Sequence, residues 1–145
     1  MTGMLETRKV VLLTLIGVAA AAFLFRSGGI PAEAGEPYKE VSPAEARELI
    51  GKRAGDGNFV LLDVRTPKEF QEERIRGAVD VDFLSDTFRE EIARLDRGKT
   101  YLVYCRTGAR SNGALKVMME EGFRDVYHLD GGIMKWKEAG LPTVK

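Results

Sequence analysis

Cysteine and histidine are nearly absent from this sequence, which has one residue of each, Cys105 and His128, among 145. Two such side chains cannot form a structural zinc site, which needs four ligands. A lone cysteine also cannot form a disulfide bond within its own chain. The sequence therefore excludes a domain held together by zinc or by internal disulfides. Any covalent bond from Cys105 must be made to another molecule.

An excess of charge of either sign is also lacking, since 22 basic side chains balance 22 acidic ones. Proteins that bind nucleic acid usually carry a basic excess on one face, so we expect no nucleic-acid partner. The length fits one domain with a core of its own.

One long uncharged run interrupts this balanced composition. It extends from Val10 to Phe25 and is flanked by Lys9 and Arg26. As a helix it would span roughly 24 Å at 1.5 Å per residue. That length is somewhat short for a hydrocarbon core of about 30 Å, and somewhat long for the apolar part of a signal peptide. We therefore interpret residues 1–9 as a basic n-region and residues 10–26 as either a signal-anchor helix or a signal-peptide helix.

Both interpretations of this run predict export. A retained helix would hold the protein at the cell membrane, facing the periplasm or the outside. A cleaved helix would release a periplasmic or secreted protein, and the small residues Ala32 and Ala34 fit a cleavage site after Ala34. Residues 27–37 are rich in Gly, Pro and Ala, which is typical of a linker. We expect the folded domain to occupy residues 38–145.

Helix and strand signals alternate along this domain. The sequences "SPAE" at Ser42–Glu45 and "TPKE" at Thr66–Glu69 are capping boxes, so each should start a helix. Further helices are predicted over 84–95, with Leu84 on its apolar face, over 111–121, and in the segment "GGIMKWKEAG". Apolar runs predict strands at "NFVLLDV", "GAVDV", "TYLVYC" and "DVYHL". This alternation predicts an α/β domain with a largely parallel sheet.

Cys105 ends the most apolar of these strands, where the carboxyl ends of a parallel sheet form ligand sites. The residues from Cys105 to Arg110 are predicted to form a short strand-to-helix loop in which Gly108 permits a tight turn. Amide groups of such a loop can point inward and favour an anion, such as a thiolate, at its centre. Arg106 and Arg110 would attract an anionic substrate. The alternative at this point is a cysteine that only fills the core.

Several segments resemble the rhodanese family of sulfurtransferases. The segment "VYCRTGARS" resembles the family's active-site loop, and "VSPAEARELI" resembles its opening helix. The segments "FVLLDVRTPKEF" and "LDGGIMKWKEAGLP" resemble its Asp-x-Arg and Gly-Gly-x-x-x-Trp regions, and all four occur in the family's order. The resemblance covers nearly all of Tyr38–Pro142. It implies a rhodanese-like α/β fold with a central, mostly parallel five-stranded sheet and helices on both faces.

The resemblance also implies an activity. The Cys105 thiolate would take a sulfane sulfur from an anionic donor such as thiosulfate and pass it, as a persulfide, to cyanide or a thiol. No metal or organic cofactor would be needed, and we expect a monomer. The residues implied to bind the substrate are Arg106, Thr107, Gly108, Ala109 and Arg110. The residues implied to support the site are Asp63, Arg65 and Ser111.

Two other interpretations remain open. The domain could be a module of the same fold that carries sulfur or binds a protein without turnover. It could also be a Cdc25-like phosphatase or an arsenate reductase, although those enzymes place the arginine six positions after the cysteine. Here Arg110 lies five positions after Cys105, and a tighter loop suits sulfur better than phosphate. His128 is interpreted as a packed strand residue, since sulfur transfer to a thiolate needs no base.

Overall fold

The computed structural model describes residues 38–145. Within this range no helix is long and apolar enough to cross a membrane. The helix predicted at residues 10–26 and the linker predicted at residues 27–37 lie outside the described residues. Export and membrane attachment therefore stay predictions.

The described residues form an α/β domain with five strands and five helices. The strands are β1 (Lys39–Val41), β2 (Phe59–Asp63), β3 (Val79–Asp80), β4 (Thr100–Tyr104) and β5 (Val126–Leu129). The helices are α1 (Pro43–Lys52), α2 (Pro67–Glu72), α3 (Phe88–Ala93), α4 (Ala109–Glu120) and α5 (Gly132–Glu138). All strand pairs of the sheet are parallel, in the order β1-β5-β4-β2-β3.

Helices cover both faces of the sheet, so the predicted fold class is confirmed. Side chains of α3 and α4 pack on one face and side chains of α1 and α5 on the other. Strand β4 lies in the middle and is buried along its whole length, as its continuous apolar sequence predicted. Its alternating side chains divide between the two cores, and Cys105, the next residue, falls in the core beneath α4.

The strand order creates a crevice between β2 and β4. After β2 the chain forms β3, which lies next to β2 at one edge of the sheet. After β4 it forms β5, which lies next to β4 toward the opposite edge strand. Ligand sites of open parallel sheets lie at such a reversal, beyond the carboxyl ends of the strands. The segment after β2 begins with Val64 and Arg65, and the segment after β4 begins with Cys105.

Two predictions about elements need correction, and one strand was not predicted from the apolar pattern. Leu84 is 63% exposed and precedes α3, which is limited to Phe88–Ala93. Helix α4 begins at Ala109, two residues before the predicted start, because the Asn112 amide already bonds to the Gly108 carbonyl. Strand β1 was not located by the apolar pattern, since two of its three residues are exposed.

Candidate active site

The sulfur of Cys105 lies at the base of a short turn between β4 and α4. Its side chain is buried, with 1% exposure. Gly108 stands at the N-cap of α4 with φ of +107°, a left-handed conformation that other residues rarely adopt. This conformation turns the Gly108 amide back so that it donates to Sγ over 3.1 Å. The Ser111 hydroxyl lies 3.3 Å from the same sulfur.

These contacts decide the ionisation of the thiol. Burial of the sulfur acts to raise the pKa of Cys105, because an apolar surrounding disfavours a thiolate. Hydrogen bonds from the Ser111 side chain and from amides of the turn act in the opposite direction and outweigh burial. The pKa of Cys105 is therefore lowered, as expected for a nucleophilic cysteine and not for an inert core residue.

The loop is shorter than the sequence predicted. Ala109 and Arg110 form the first turn of α4 and are not part of an extended loop. Arg106 and Thr107 are exposed at the turn, while Gly108 is buried beneath them.

Helix α5 holds this turn from the other side. The amide of Ile133 donates to the Cys105 carbonyl over 2.9 Å, and the amide of Met134 donates to the Arg106 carbonyl over 3.1 Å. Gly132 permits this approach, since a Cβ at that position would lie 2.4 Å from the Cys105 carbonyl oxygen. The backbone of the turn is therefore fixed by two hydrogen bonds that do not involve its own side chains.

Asp63 and Arg65 form a buried ion pair at the carboxyl end of β2. Their side chains are 0% and 5% exposed, and Arg65 Nη2 lies 2.6 Å from Asp63 Oδ2. The same nitrogen donates to the Glu73 carbonyl over 2.6 Å. The pair thus joins the segment after β2 to the segment after α2; the resemblance implied that these two residues support the site.

Arg110 points to a carboxylate and not to an open anion site. Its two terminal nitrogens lie 2.7 and 2.8 Å from the two carboxylate oxygens of Glu69. The hydrogen bond from Arg110 lowers the pKa of Glu69 to about 2, so this carboxylate is charged at all physiological pH values. One of the two positive charges that the sequence assigned to substrate binding, that of Arg110, is therefore balanced within the protein.

A thiol at the end of a central parallel strand, held by loop amides, agrees with the protein family whose sequence model this chain matches. Residues 42–139 match the family model described as the rhodanese-like domain. The chain belongs to the rhodanese-like family.

Two relatives and one solved structure show the range of similarity. A thiosulfate sulfurtransferase GlpE of Coxiella burnetii is 37% identical over 106 residues, which is 73% of this chain and 92% of that protein. The uncharacterized protein slr1261 of Synechocystis is 41% identical over 86 residues, 59% of this chain and only 47% of its own length. A rhodanese-related protein of Thermoplasma volcanium has a TM-score of 0.63 and 30% identity, covering 74% of this chain and 98% of its own.

In this rhodanese-like domain a cavity of about 440 Å³ opens beside the turn. Arg106 lines it together with Ile133 and Met134 of α5. Two further cations on its wall are already paired with carboxylates, Arg65 with Asp63 and Lys137 with Glu73. Arg106 forms no ion pair with any residue between positions 38 and 145, and it is therefore the cation best placed to receive an anion here. Four glutamates also line the cavity: Glu69, Glu72, Glu73 and Glu138.

The sequence interpretation missed the position of His128. Its ring is 2% exposed, which agrees with the predicted strand packing. Yet its Nε2 lies 2.7 Å from Ser111 Oγ, the same oxygen that contacts Cys105. The strand pattern "VYHL" shows that His128 follows the apolar alternation, but it does not show which residue of α4 packs over it. That contact depends on the pairing of β4 with β5 and on the start of α4.

Proposed function

We propose that this domain is a sulfurtransferase that carries a sulfane sulfur as a persulfide on Cys105. The donor would be a small anion such as thiosulfate, and the acceptor cyanide or a thiol. The observation that carries the proposal is the environment of Sγ, which combines burial with donors from Gly108 and Ser111. Membership of the rhodanese-like family supports it, and so does similarity to a relative named thiosulfate sulfurtransferase.

The first step forms a sulfur–sulfur bond to the enzyme. The Cys105 thiolate attacks the outer sulfur of thiosulfate, the bond between the two donor sulfurs breaks, and sulfite leaves with its electron pair. Negative charge then rests on the terminal sulfur of the persulfide. Donors at the turn stabilise such charge without reorganising, because helix α5 already fixes the backbone there.

The second step restores the enzyme. A cyanide carbon or an acceptor thiolate attacks the terminal sulfur, the persulfide bond breaks, and Cys105 leaves as a thiolate. The same low pKa that makes this thiolate a nucleophile makes it a good leaving group. Arg106 would hold the anionic donor during the first step from its position on the cavity wall.

A second candidate is a sulfur-carrier or protein-binding module with no turnover on small donors. Four glutamates on the cavity wall disfavour a small anion, and Cys105 does not itself line this cavity. A donor protein that docks at the cavity could overcome both obstacles. A phosphatase function is less well supported, since α4 begins at Ala109 and the turn after Cys105 is short, which suits a sulfur atom better than a tetrahedral oxyanion.

The proposal predicts that Cys105→Ser abolishes transfer of sulfur from thiosulfate to cyanide, because a serine hydroxyl stays protonated at neutral pH and forms no persulfide. Thiocyanate production by the full-length wild type and variant measures the effect. Thermal unfolding of both proteins provides the control for folding. Thiocyanate production by the serine variant at the wild-type rate would contradict the proposal.

A further inference from the structure

A chain of buried polar side chains extends from the sulfur toward strand β1. Cys105 Sγ contacts Ser111 Oγ at 3.3 Å, and Ser111 Oγ contacts His128 Nε2 at 2.7 Å. The three residues are 1%, 0% and 2% exposed. They come from the end of β4, from α4 and from β5, so the core of the fold fixes their relative positions.

The Ser111 hydroxyl has one hydrogen and several neighbours that compete for it. Besides the sulfur and the histidine, the Gly108 carbonyl lies 3.0 Å away and can only accept. If His128 Nε2 also accepted, it would draw the hydrogen away from the thiolate over the shorter distance. If Nε2 instead carries a hydrogen and donates, the Ser111 hydrogen is left for the thiolate or for the carbonyl. A charged acceptor forms the stronger hydrogen bond, so the thiolate then prevails.

We propose that His128 is a positioning residue for Cys105: its Nε2–H donates to Ser111 Oγ and thereby directs the Ser111 hydroxyl hydrogen onto the thiolate sulfur. His128 touches neither the sulfur nor a substrate in this arrangement. It acts through Ser111, and its effect is to increase the fraction of Cys105 present as thiolate.

The surroundings of His128 are consistent with this role. Its Nδ1 has no hydrogen-bond partner among the described residues, and the closest carboxylate oxygen, Oε1 of Glu40 on β1, is 3.6 Å away. The ring of Tyr38 meets the imidazole edge-on. Burial lowers the pKa of His128, opposed by the charges of Glu40 and Asp130. The imidazole is therefore neutral near pH 7 and has one N–H. The proposal places this hydrogen on Nε2, from which it donates to Ser111 Oγ over 2.7 Å.

The inference rests on the proposed function, in which Cys105 reacts as a thiolate, but it can be tested without a sulfur donor. The rate of alkylation by iodoacetamide, measured against pH on the full-length chain, reports the pKa of the single cysteine. We expect His128→Leu to raise that pKa and to slow alkylation about threefold at a pH below it, because the Ser111 hydroxyl loses the donor that orients and polarises it, which weakens its hydrogen bond to the thiolate without removing it. His128→Gln retains an amide donor that does not titrate, and should keep alkylation close to wild type.

Two further variants separate positioning from packing. Ser111→Ala removes the hydrogen bond to the thiolate itself and should slow alkylation about tenfold, more than His128→Leu does. The double variant should be no slower than Ser111→Ala alone. Tyr127→Leu alters the neighbouring residue of β5, which packs against the opposite core, and should leave the rate unchanged. An unchanged rate in His128→Leu, or equal slowing in His128→Gln and His128→Leu, would overturn the proposal.

Wild-type protein provides a test that does not depend on how variants fold. His128 is the only histidine, so the imidazole ¹⁵N resonances of the full-length chain belong to one ring. We expect the shifts of a neutral ring protonated on Nε2 at a pH where Cys105 is a thiolate. Shifts of the tautomer protonated on Nδ1 would overturn the proposal. Failure of sulfur transfer with the expected ¹⁵N shifts would overturn only the proposed function.

Discussion

A methyl group at position 132 would occupy space that the active-site turn already fills. A Cβ there would lie 2.4 Å from the carbonyl oxygen of Cys105 and 2.6 Å from that of Arg106. The φ angle of Gly132 is +61°, so any other residue would also be strained. Gly132, the second glycine of the "GG" pair, therefore allows α5 to pack against the backbone of Cys105, although the two residues are 27 positions apart in the chain.

We predict that Gly132→Ala lowers the free energy of unfolding by roughly 3 kcal/mol or more, since backbone strain and a clash with backbone atoms add together. Gly140→Ala is the matched control. Gly140 has a φ of +72°, but a Cβ there would meet no atom within 4 Å. Its cost should be about 1–2 kcal/mol. Urea unfolding of both variants measures the difference, and equal losses would contradict the claim that Gly132 is constrained by the turn.

Single residues also show the limit of the sequence prediction. Cys105 at a strand end and Gly108 three residues later could be predicted as a site from local order alone. The partners of Arg110 and His128 could not, because Glu69 and Ser111 are 41 and 17 positions away from them. A charged or ring side chain gives no local signal of which distant group it contacts, so Arg110 was assigned to substrate and His128 to packing.

At the scale of elements, capping chemistry was the most reliable local signal. Both predicted capping boxes are formed, and α1 and α2 begin where they indicated. Glu69 has two roles, since it closes the capping box of α2 with Thr66 and also binds Arg110 of α4. This carboxylate joins two elements that approach the carboxyl ends of the strands, and it couples the start of α2 to the active-site turn.

The Glu69–Arg110 pair predicts a pH-dependent contribution to stability. The pKa of Glu69 falls from its ordinary 4.5 to about 2 in the folded protein. A lowered carboxyl pKa stabilises the fold above the unfolded pKa, and this stabilisation is lost as the pH falls through 4.5 toward 2. Arg110→Ala should therefore lower the free energy of unfolding by about 1–3 kcal/mol at pH 7 and by less at pH 3.

Urea unfolding of wild type and Arg110→Ala at the two pH values measures this dependence. Arg124→Ala is a control for the removal of an arginine, because Arg124 forms no ion pair with another residue in the range 38–145. A difference between wild type and Arg110→Ala that stays constant from pH 7 to pH 3 would show that the pair does not supply the stabilisation. Arg110→Ala should also weaken sulfur transfer, since it removes the contact that holds the first turn of α4 against α2.

At the scale of the whole domain, alternating helices and strands predicted a parallel α/β sheet, but not its order. The resemblance to a family implied five strands, whereas the apolar pattern located four. The missing strand, β1, is an edge strand of three residues whose pairing with β5 stabilises it, and local hydrophobicity does not reveal such pairing. The crevice between β2 and β4 likewise follows from the strand order, which depends on contacts between residues distant in sequence.

This strand order brings all parts of the proposed sulfur site together at the carboxyl ends of the central strands. The buried pair of Asp63 and Arg65 follows β2, the sulfur follows β4, and α5 covers the turn from the segment after β5. The proposal that Cys105 forms a persulfide depends on this assembly as a unit. Persulfide formation from a small donor is also the property that distinguishes an enzyme acting on small donors from a module that needs a protein donor.

Intact-mass measurement of the full-length protein after treatment with thiosulfate tests the formation of a persulfide most directly. The account predicts a gain of the mass of one sulfur atom, confined to Cys105, absent from Cys105→Ser and removed by cyanide. A wild-type protein that gains no sulfur from thiosulfate, while its cysteine still reacts with iodoacetamide, would contradict the account.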